Sequence, residues 1–370
     1  MNIADVSPIL NDFYAAKAHA DAFIRAVSGF AIAPWPKRYG SGHCSHVDPF
    51  SGQTYFHINN GWDFSRQVIV PGHFRTKDFK TVEQAIEPIN VLPVTFGELA
   101  SLNGKLFRTN GFWNYPQQPG NDHTTSNVYM SDTGGFWMLD ASAPAIDREC
   151  HMALAHTDGC LYIGMGERYS INPPPTYQMP TDFLRRNIAG WTQQNNTMRP
   201  RRSFAYFSSG SSIVIGCGRD DTNYPTVVDL NDFIASTDGG VTFQVLGNAP
   251  FRGAYGRRAA PFHGGIVLVG GAYSTTGNGN TANTTYLNEI WWTDTPLLPS
   301  TYVALPPLPI ACVHGMVGVL TVDGVETLAV ISGYNSNDRP DGSPYGTIFT
   351  FAWADGVWRA RRDSGFWVDP

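Results

Sequence analysis

The sequence predicts an all-β fold, a six-bladed β-propeller of four-stranded blades preceded by one N-terminal helix. Three observations predict it: a strand–turn–strand pattern recurring about every 55 residues, a second hairpin within each recurrence, and a composition suited to turns and buried sheet faces. Of 370 residues only 15% are charged, against ~25% in ordinary soluble domains, while 38 are glycine, 26 are proline and 13% are aromatic. Disordered chains and coiled-coil rods depend on solvating charge, so both are excluded. The 25 basic and 31 acidic residues leave a formal charge of −6, which argues against electrostatic capture of nucleic acid. No apolar run reaches the ~18 residues of a spanning helix, so no membrane insertion is expected.

The chain divides into residues 1–29, a helical unit, and residues 30–370, the propeller. Within the first unit the pattern predicts a helix over 7–28. Ser7 suits the N-cap, Pro8 the first helical position, and Gly29 the stop. Ile9, Phe13, Ala16, Ala20, Phe23 and Val27 are spaced 4, 3, 4, 3 and 4, a heptad seam. Such a seam either lies on its own domain or serves docking or homo-oligomerisation.

The first recurring marker is an alternating apolar strand, a turn, and a second apolar strand ending in small residues. It is plainest at 151–166, 203–218 and 257–271, and weaker at 43–61, 96–111 and 314–333. The closing glycines Gly61, Gly111, Gly166, Gly218, Gly271 and Gly333 lie 50, 55, 52, 53 and 62 residues apart. The second marker is a hairpin with a tight turn, at 127–139, 232–246 and 348–360, with further copies at 74–84, 183–193 and 290–305. Two hairpins per period make a four-stranded unit that cannot bury both faces alone, which is the condition for a ring of blades. The repeated strings Ser28-Gly29-Phe30 and Ser364-Gly365-Phe366 predict that the two terminal strands pair with each other to fasten the ring.

Two signatures carry a family resemblance. Gly270-Gly271 followed by Leu287-Asn288-Glu289-Ile290-Trp291, and Gly216/Gly218 followed by Leu230-Asn231-Asp232-Phe233, resemble the kelch repeat. Ser236 to Phe243 resembles the Asp-box turn at every defined position, and Ser131 to Trp137 resembles a degenerate copy. In that turn Asp238 is expected to accept backbone N–H bonds, with Gly240 at positive φ and Phe243 buried between blades. Both signatures imply a propeller and leave function open, since enzymes, lectins and scaffolds share them.

In an up-and-down blade, the connections between the second and third strands emerge on the same face as those between blades. The former are long, dissimilar and rich in aromatic, Asn and Asp residues. The expected ligand-binding residues on this face are Trp62, Trp113, Tyr115, Tyr169, Arg219, Asp220, Tyr224, Arg257, Arg258, Tyr273, Tyr334 and Asn335. Aromatic platforms beside amides and carboxylates suit a surface glycan or a partner protein. The arginines of the inter-blade connections (Arg38, Arg148, Arg199, Arg201, Arg202, Arg252, Arg257, Arg258) either bind an anionic group or tie adjacent blades.

No catalytic residue, metal ligand or cofactor is assigned. Five cysteines without a C-x-x-C pair make neither a disulfide framework nor a zinc module. In His43-Cys44-Ser45-His46 only Cys44 and His46 share a strand face. Sialidase-like propellers also use Asp-box turns, and that resemblance implies an arginine cluster with a Tyr/Glu nucleophile pair. Their [FY]-R-[IL]-P string is absent here, Phe251-Arg252-Gly253 being the nearest, and Glu167 is the main glutamate in the loops. The favoured expectation is a non-catalytic recognition module, synthesised in the cytoplasm without an export signal. A phage tail or fibre component displayed on the virion fits that combination, and a sialidase-like glycoside hydrolase is the alternative.

Overall fold

The computed structural model describes residues 30–33, 38–63, 68–69, 71–85, 93–113, 123–170, 176–194, 196–277, 283–337, 345–353, 355–361 and 367–368. The helix expected over 7–28 lies outside the described residues. In each repeat the two hairpins join into one antiparallel sheet, and six such sheets form the ring. Blade 1 comprises Gly42–Val47, Thr54–Asn59, His73–Thr76 and Val82–Ala85; blade 2, Glu98–Leu102, Lys105–Trp113, His123–Ser131 and Met138–Leu139. Blade 3 comprises Met152–Ala155, Leu161–Gly164, Phe183–Asn187 and Gly190–Gln194; blade 4, Ala205–Ser209, Ser212–Gly216, Asp232–Ser236 and Gln244–Asn248. Blade 5 runs Arg258–Phe262, Gly265–Val269, Ile290–Thr293 and Val303–Leu305; blade 6, Met316–Val322, Val325–Ile331, Ile348–Ala352 and Trp358–Arg361.

The core is distributed between blades, because each sheet needs a neighbour on both faces. Phe207, Phe233, Phe251, Leu268 and Tyr302 fill the space between blades 4 and 5, and Met152, Tyr162, Phe183 and Ile215 that between blades 3 and 4. Phe56, Ile58, Phe79, Met316, Leu320 and Ile331 fill the junction of blades 6 and 1.

That junction closes differently from the sequence expectation. The terminal strands do not pair with each other: Phe30–Ala33 pairs with Val82–Ala85 on blade 1, and Trp367–Val368 with Ala360 and Arg361 on blade 6. Each adds a fifth strand to an outer edge, so neither spans the seam. Closure comes from side-chain packing and from the axis. Gly40, Phe96, Cys150, Ser203, Gly256 and His314 each sit two residues before a blade's first strand, all at positive φ. Each backbone N–H donates to the carbonyl of its counterpart on the preceding blade, and Gly40 donates to His314, at 2.6–3.4 Å throughout. The six bonds form a closed collar around the axis.

Above the collar a second regularity holds the blades. The residue preceding each collar position bridges the residue following a closing glycine: Tyr39 with Trp62, Thr95 with Phe112, Glu149 with Glu167, Arg202 with Arg219, Tyr255 with Ala272, Val313 with Tyr334. Glycine is required at this turn. At Gly166 φ is +88° and a Cβ would stand 2.4 Å from the Glu149 carbonyl oxygen.

The 236–243 turn lies between the third and fourth strands of blade 4, away from the collar. Asp238 accepts from the Val241 and Thr242 N–H groups, and Ser236 Oγ accepts from Gly240 N–H. Gly239 and Gly240 are both at positive φ, and Phe243 is tilted against Phe183 of blade 3 at 5.2 Å.

Candidate functional site at the axial mouth

Second-to-third-strand connections rise as small hairpins around the mouth. Trp62–Asp63 pairs with Val68–Ile69, Arg168–Ser170 with Thr176–Gln178, Arg219–Asp220 with Val228–Asp229, and Ala272–Ser274 with Thr284–Tyr286. Backbone pairing makes these walls more defined than their loop-like composition suggests. A cavity of about 370 Å³ lies against the collar, lined by Tyr39, Trp62, Phe96, Phe112, Glu149 and Arg202 among others.

One side of the mouth is aromatic. Tyr39 stacks on Tyr334 at 5.1 Å, Tyr286 meets Tyr334 edge-on at 5.9 Å, and the Tyr286 hydroxyl bonds Ser336 Oγ at 2.8 Å. The other side is charged. Arg202 donates to Glu167 at 3.1 Å and to Asp221 at 2.6 Å. Arg219 holds Asp229 with two bonds, 2.7 and 3.2 Å, and its guanidinium lies 3.8 Å from the centre of the Tyr255 ring.

Glu149 differs from these carboxylates. It is buried, and no described residue hydrogen-bonds its carboxyl. Burial first, then Glu167, pushes its pKa well above the ordinary carboxylate range, opposed by Arg202. Its carboxyl, that of Glu167 and the Cys150 thiol have ligand atoms within 4.8 Å of one another. Burial and both glutamates also push the Cys150 thiol well up, which keeps it protonated and a poor metal ligand unless a cation displaces the proton. Two carboxyls this close, one of them with its ionised form disfavoured, are an arrangement that general acid–base chemistry and cation binding both use.

The structure distributes the sequence-predicted residues widely. Trp62, Arg219 and Tyr334 each bridge a residue that precedes a collar position, and of the three Trp62 lines the cavity. Asn335 is buried, its side-chain amide donating to the Ala311 carbonyl at 3.2 Å. Asp220 accepts from Arg199 at 2.8 Å, and Tyr273 lies under the Arg252 guanidinium at 4.3 Å. Tyr224 is exposed on the outside of its loop. Trp113 and Tyr169 end and centre strands whose side chains are not described there, and Tyr115 lies outside the described residues. Arg257 and Arg258 lie away from the mouth: Arg257 is fully buried against Glu289 at 2.7 Å, and Arg258 crosses the channel beneath the collar to Glu98 at 2.7 Å.

Among the connection arginines, Arg202 ties its blade to Glu167 of blade 3, whereas others turn to their own blade. Arg148 donates to the Met165 carbonyl and to Asp182, and Arg201 to the Cys217 carbonyl and to Asp232. Both fasten a connection to the next turn of the same blade. At the ring seam Ser332 Oγ bonds the Arg38 carbonyl. His46 is likewise committed, to Ser101 Oγ and the Asp132 carbonyl, both at 2.9 Å.

Sequence reasoning did not single out Tyr39, Glu149 and Tyr255, and named Arg202 only as an arginine that binds an anionic group or ties blades. The signal was present: each stands at one fixed position before its blade's first strand, and the residue after every closing glycine faces it.

The fold and mouth together define the class, a six-bladed β-propeller with a cavity on its axis. No protein-family model and no curated protein matches the chain. Among solved structures it is similar to one titled "Structure of YjhT", with a TM-score of 0.65 and 13% identity over 90% of this chain and 99% of that one. Identity this low shows the fold alone.

Proposed function

We propose that the protein is a recognition module that binds a surface glycan or partner protein at the axial mouth without turnover. The observation that carries the reading is the aromatic wall formed by Tyr39, Trp62, Phe96 and Phe112 around a cavity of about 370 Å³, with Tyr334 stacked on Tyr39, within the ~300–1,000 Å³ of small-ligand sites. Stacked tyrosines offer flat faces to sugar C–H surfaces, and the neighbouring carboxylates accept hydroxyl protons. A place on a phage tail or fibre suits a face of this kind, with the hairpin walls as the display surface. A glycan array with product analysis tests the proposal: binding without released sugar, lost in Tyr39→Ala and Tyr334→Ala, supports it.

A sialidase-like or other glycoside hydrolase is the second reading. The Glu149–Glu167 pair favours it, since retaining hydrolases place two carboxyls ~5–5.5 Å apart and these have oxygens within 4.8 Å. In that reading Glu149 gives its proton to the leaving oxygen. Released sugar that disappears in Glu149→Gln decides for the enzyme.

A further inference from the structure

We propose that the axial mouth binds an organic ammonium group, held between the Glu149 and Glu167 carboxyls and the rings of Tyr39, Trp62, Phe96 and Phe112. The inference rests on the recognition reading and names the chemistry of its ligand.

Charge pairing in the mouth selects the sign. An anion would have to draw Arg202 from Glu167 and Asp221, or Arg219 from its two-bond hold on Asp229. Nothing comparable engages Glu149. The residue is only 8% exposed, lines the cavity, and has no hydrogen bond from a described residue. An ammonium supplies the missing donors and the missing charge at once.

The wall agrees with the sign. Four aromatic residues line the same cavity, and ring faces attract cations most strongly where water is excluded. A neutral sugar would use the rings but leave Glu149 as it stands.

The charged and titratable groups around Glu149 set a second consequence. Glu167 and Cys150 face it from its own blade and Arg202 from blade 4. The adjacent Arg148 is turned to Met165 and Asp182, and Arg168 to Asp147. Burial and Glu167 raise the Glu149 pKa, and a bound cation lowers it. Binding therefore shifts Glu149 toward its ionised form.

Amino sugars and lysine side chains both carry the required group. Calorimetry on the full chain near pH 7, in two buffers of different ionisation enthalpy, separates them with glucosamine, glucose, Nα-acetyl-lysine methylamide and its norleucine counterpart as probes. We expect glucosamine or the lysine derivative to bind at least ~10-fold tighter than its neutral counterpart, with proton release. The isosteric Glu149→Gln, its fold checked by thermal melting, loses both the preference and the release. Equal binding of charged and neutral probes, or a preference kept in Glu149→Gln, overturns the proposal while recognition of neutral sugars through Tyr39 stands. Absence of binding by every probe overturns the proposal and the glycan reading together. Zinc binding that Cys150→Ser abolishes, in the absence of any ammonium preference, overturns it in favour of a metal.

Discussion

Glu98 and Glu149 are buried glutamates on opposite sides of the collar, and the protein treats them differently. Glu98 is bonded to Arg258, which lines a space of about 360 Å³ beneath the collar together with Ala100, Ala153, Phe204 and Tyr206 among others. Burial pushes its pKa up, and Arg258, reaching across from the opposite side of the ring at 2.7 Å, pulls it back. Glu149 lies above, walled by aromatic rings, with a second carboxyl where Glu98 has a guanidinium. A buried carboxyl with a dedicated cation joins two blades; one facing another carboxyl at a cavity is the place we propose for a ligand.

Substituting the two sites is the direct way to break this comparison. Arg258→Met leaves Glu98 buried without its cation and should cost ~3–5 kcal/mol in denaturant unfolding. Glu149→Gln keeps the shape and removes a charge that burial and Glu167 disfavour, and should change stability by less than about 1 kcal/mol. Equal losses in the two variants would erase the distinction.

Acid sharpens it. Burial is the leading cause of depressed pKa values at His43, His57, His73, His151 and His314, with His43 and His73 lowered to about 3. Because the folded values lie below the unfolded value of 6.5, the unfolded chain takes up protons first as pH falls. Stability is full above 6.5 and declines below it, by up to ~1.4 kcal/mol per pH unit for each such histidine. Urea midpoints at pH 7.5, 6.0 and 5.0 should fall in that order; a flat profile would mean that these imidazoles are solvated.

Gly166→Ala attacks the mouth from the backbone. The added methyl meets the Glu149 carbonyl at a φ that disfavours it, so ~1–3 kcal/mol should be lost. Ligand binding should weaken with it, while Gly159→Ala, whose methyl would meet nothing within 4 Å, isolates the conformational cost.

Removing residues 363–370 should have the smallest effect. It deletes Trp367–Val368, which pairs with two residues at an outer edge and does not cross the seam. We expect a loss under about 1.5 kcal/mol, on the scale of one hydrogen bond. A collapse of the melting transition would instead restore the terminal strands as the closure.

Blade number and strand membership were legible because they rest on local pattern. All twelve hairpins of the two markers appear in the six sheets, including the weak first blade at 43–61 and 74–84. The wall hairpins were not legible, since Arg219-Asp220 and Val228-Asp229 pair over two residues each and carry no alternation. Terminal pairing was misread because a repeated tripeptide gives strand propensity without saying which edge is free. Among residues around the mouth, Trp62, Arg219 and Tyr334 were visible as aromatic or charged residues after closing glycines and Arg202 as one of the connection arginines, whereas Glu149 looked like an ordinary connection residue.

The sequence by itself determined six four-stranded blades, because alternation, turns and closing glycines act over a few residues. The tertiary structure decided everything that depends on closing the ring. Glu149 and Arg202 sit on different blades and meet only because each collar residue is hydrogen-bonded to its counterpart, which brings equivalent positions to one axis. The same closure decided what each arginine does. Arg201, Arg202, Arg257 and Arg258 come from equivalent connections, yet Arg201 and Arg257 fasten turns, Arg258 spans the channel, and Arg202 enters the mouth. Side-chain direction relative to the collar separates these roles, and a linear pattern does not encode which residue points inward at the axis.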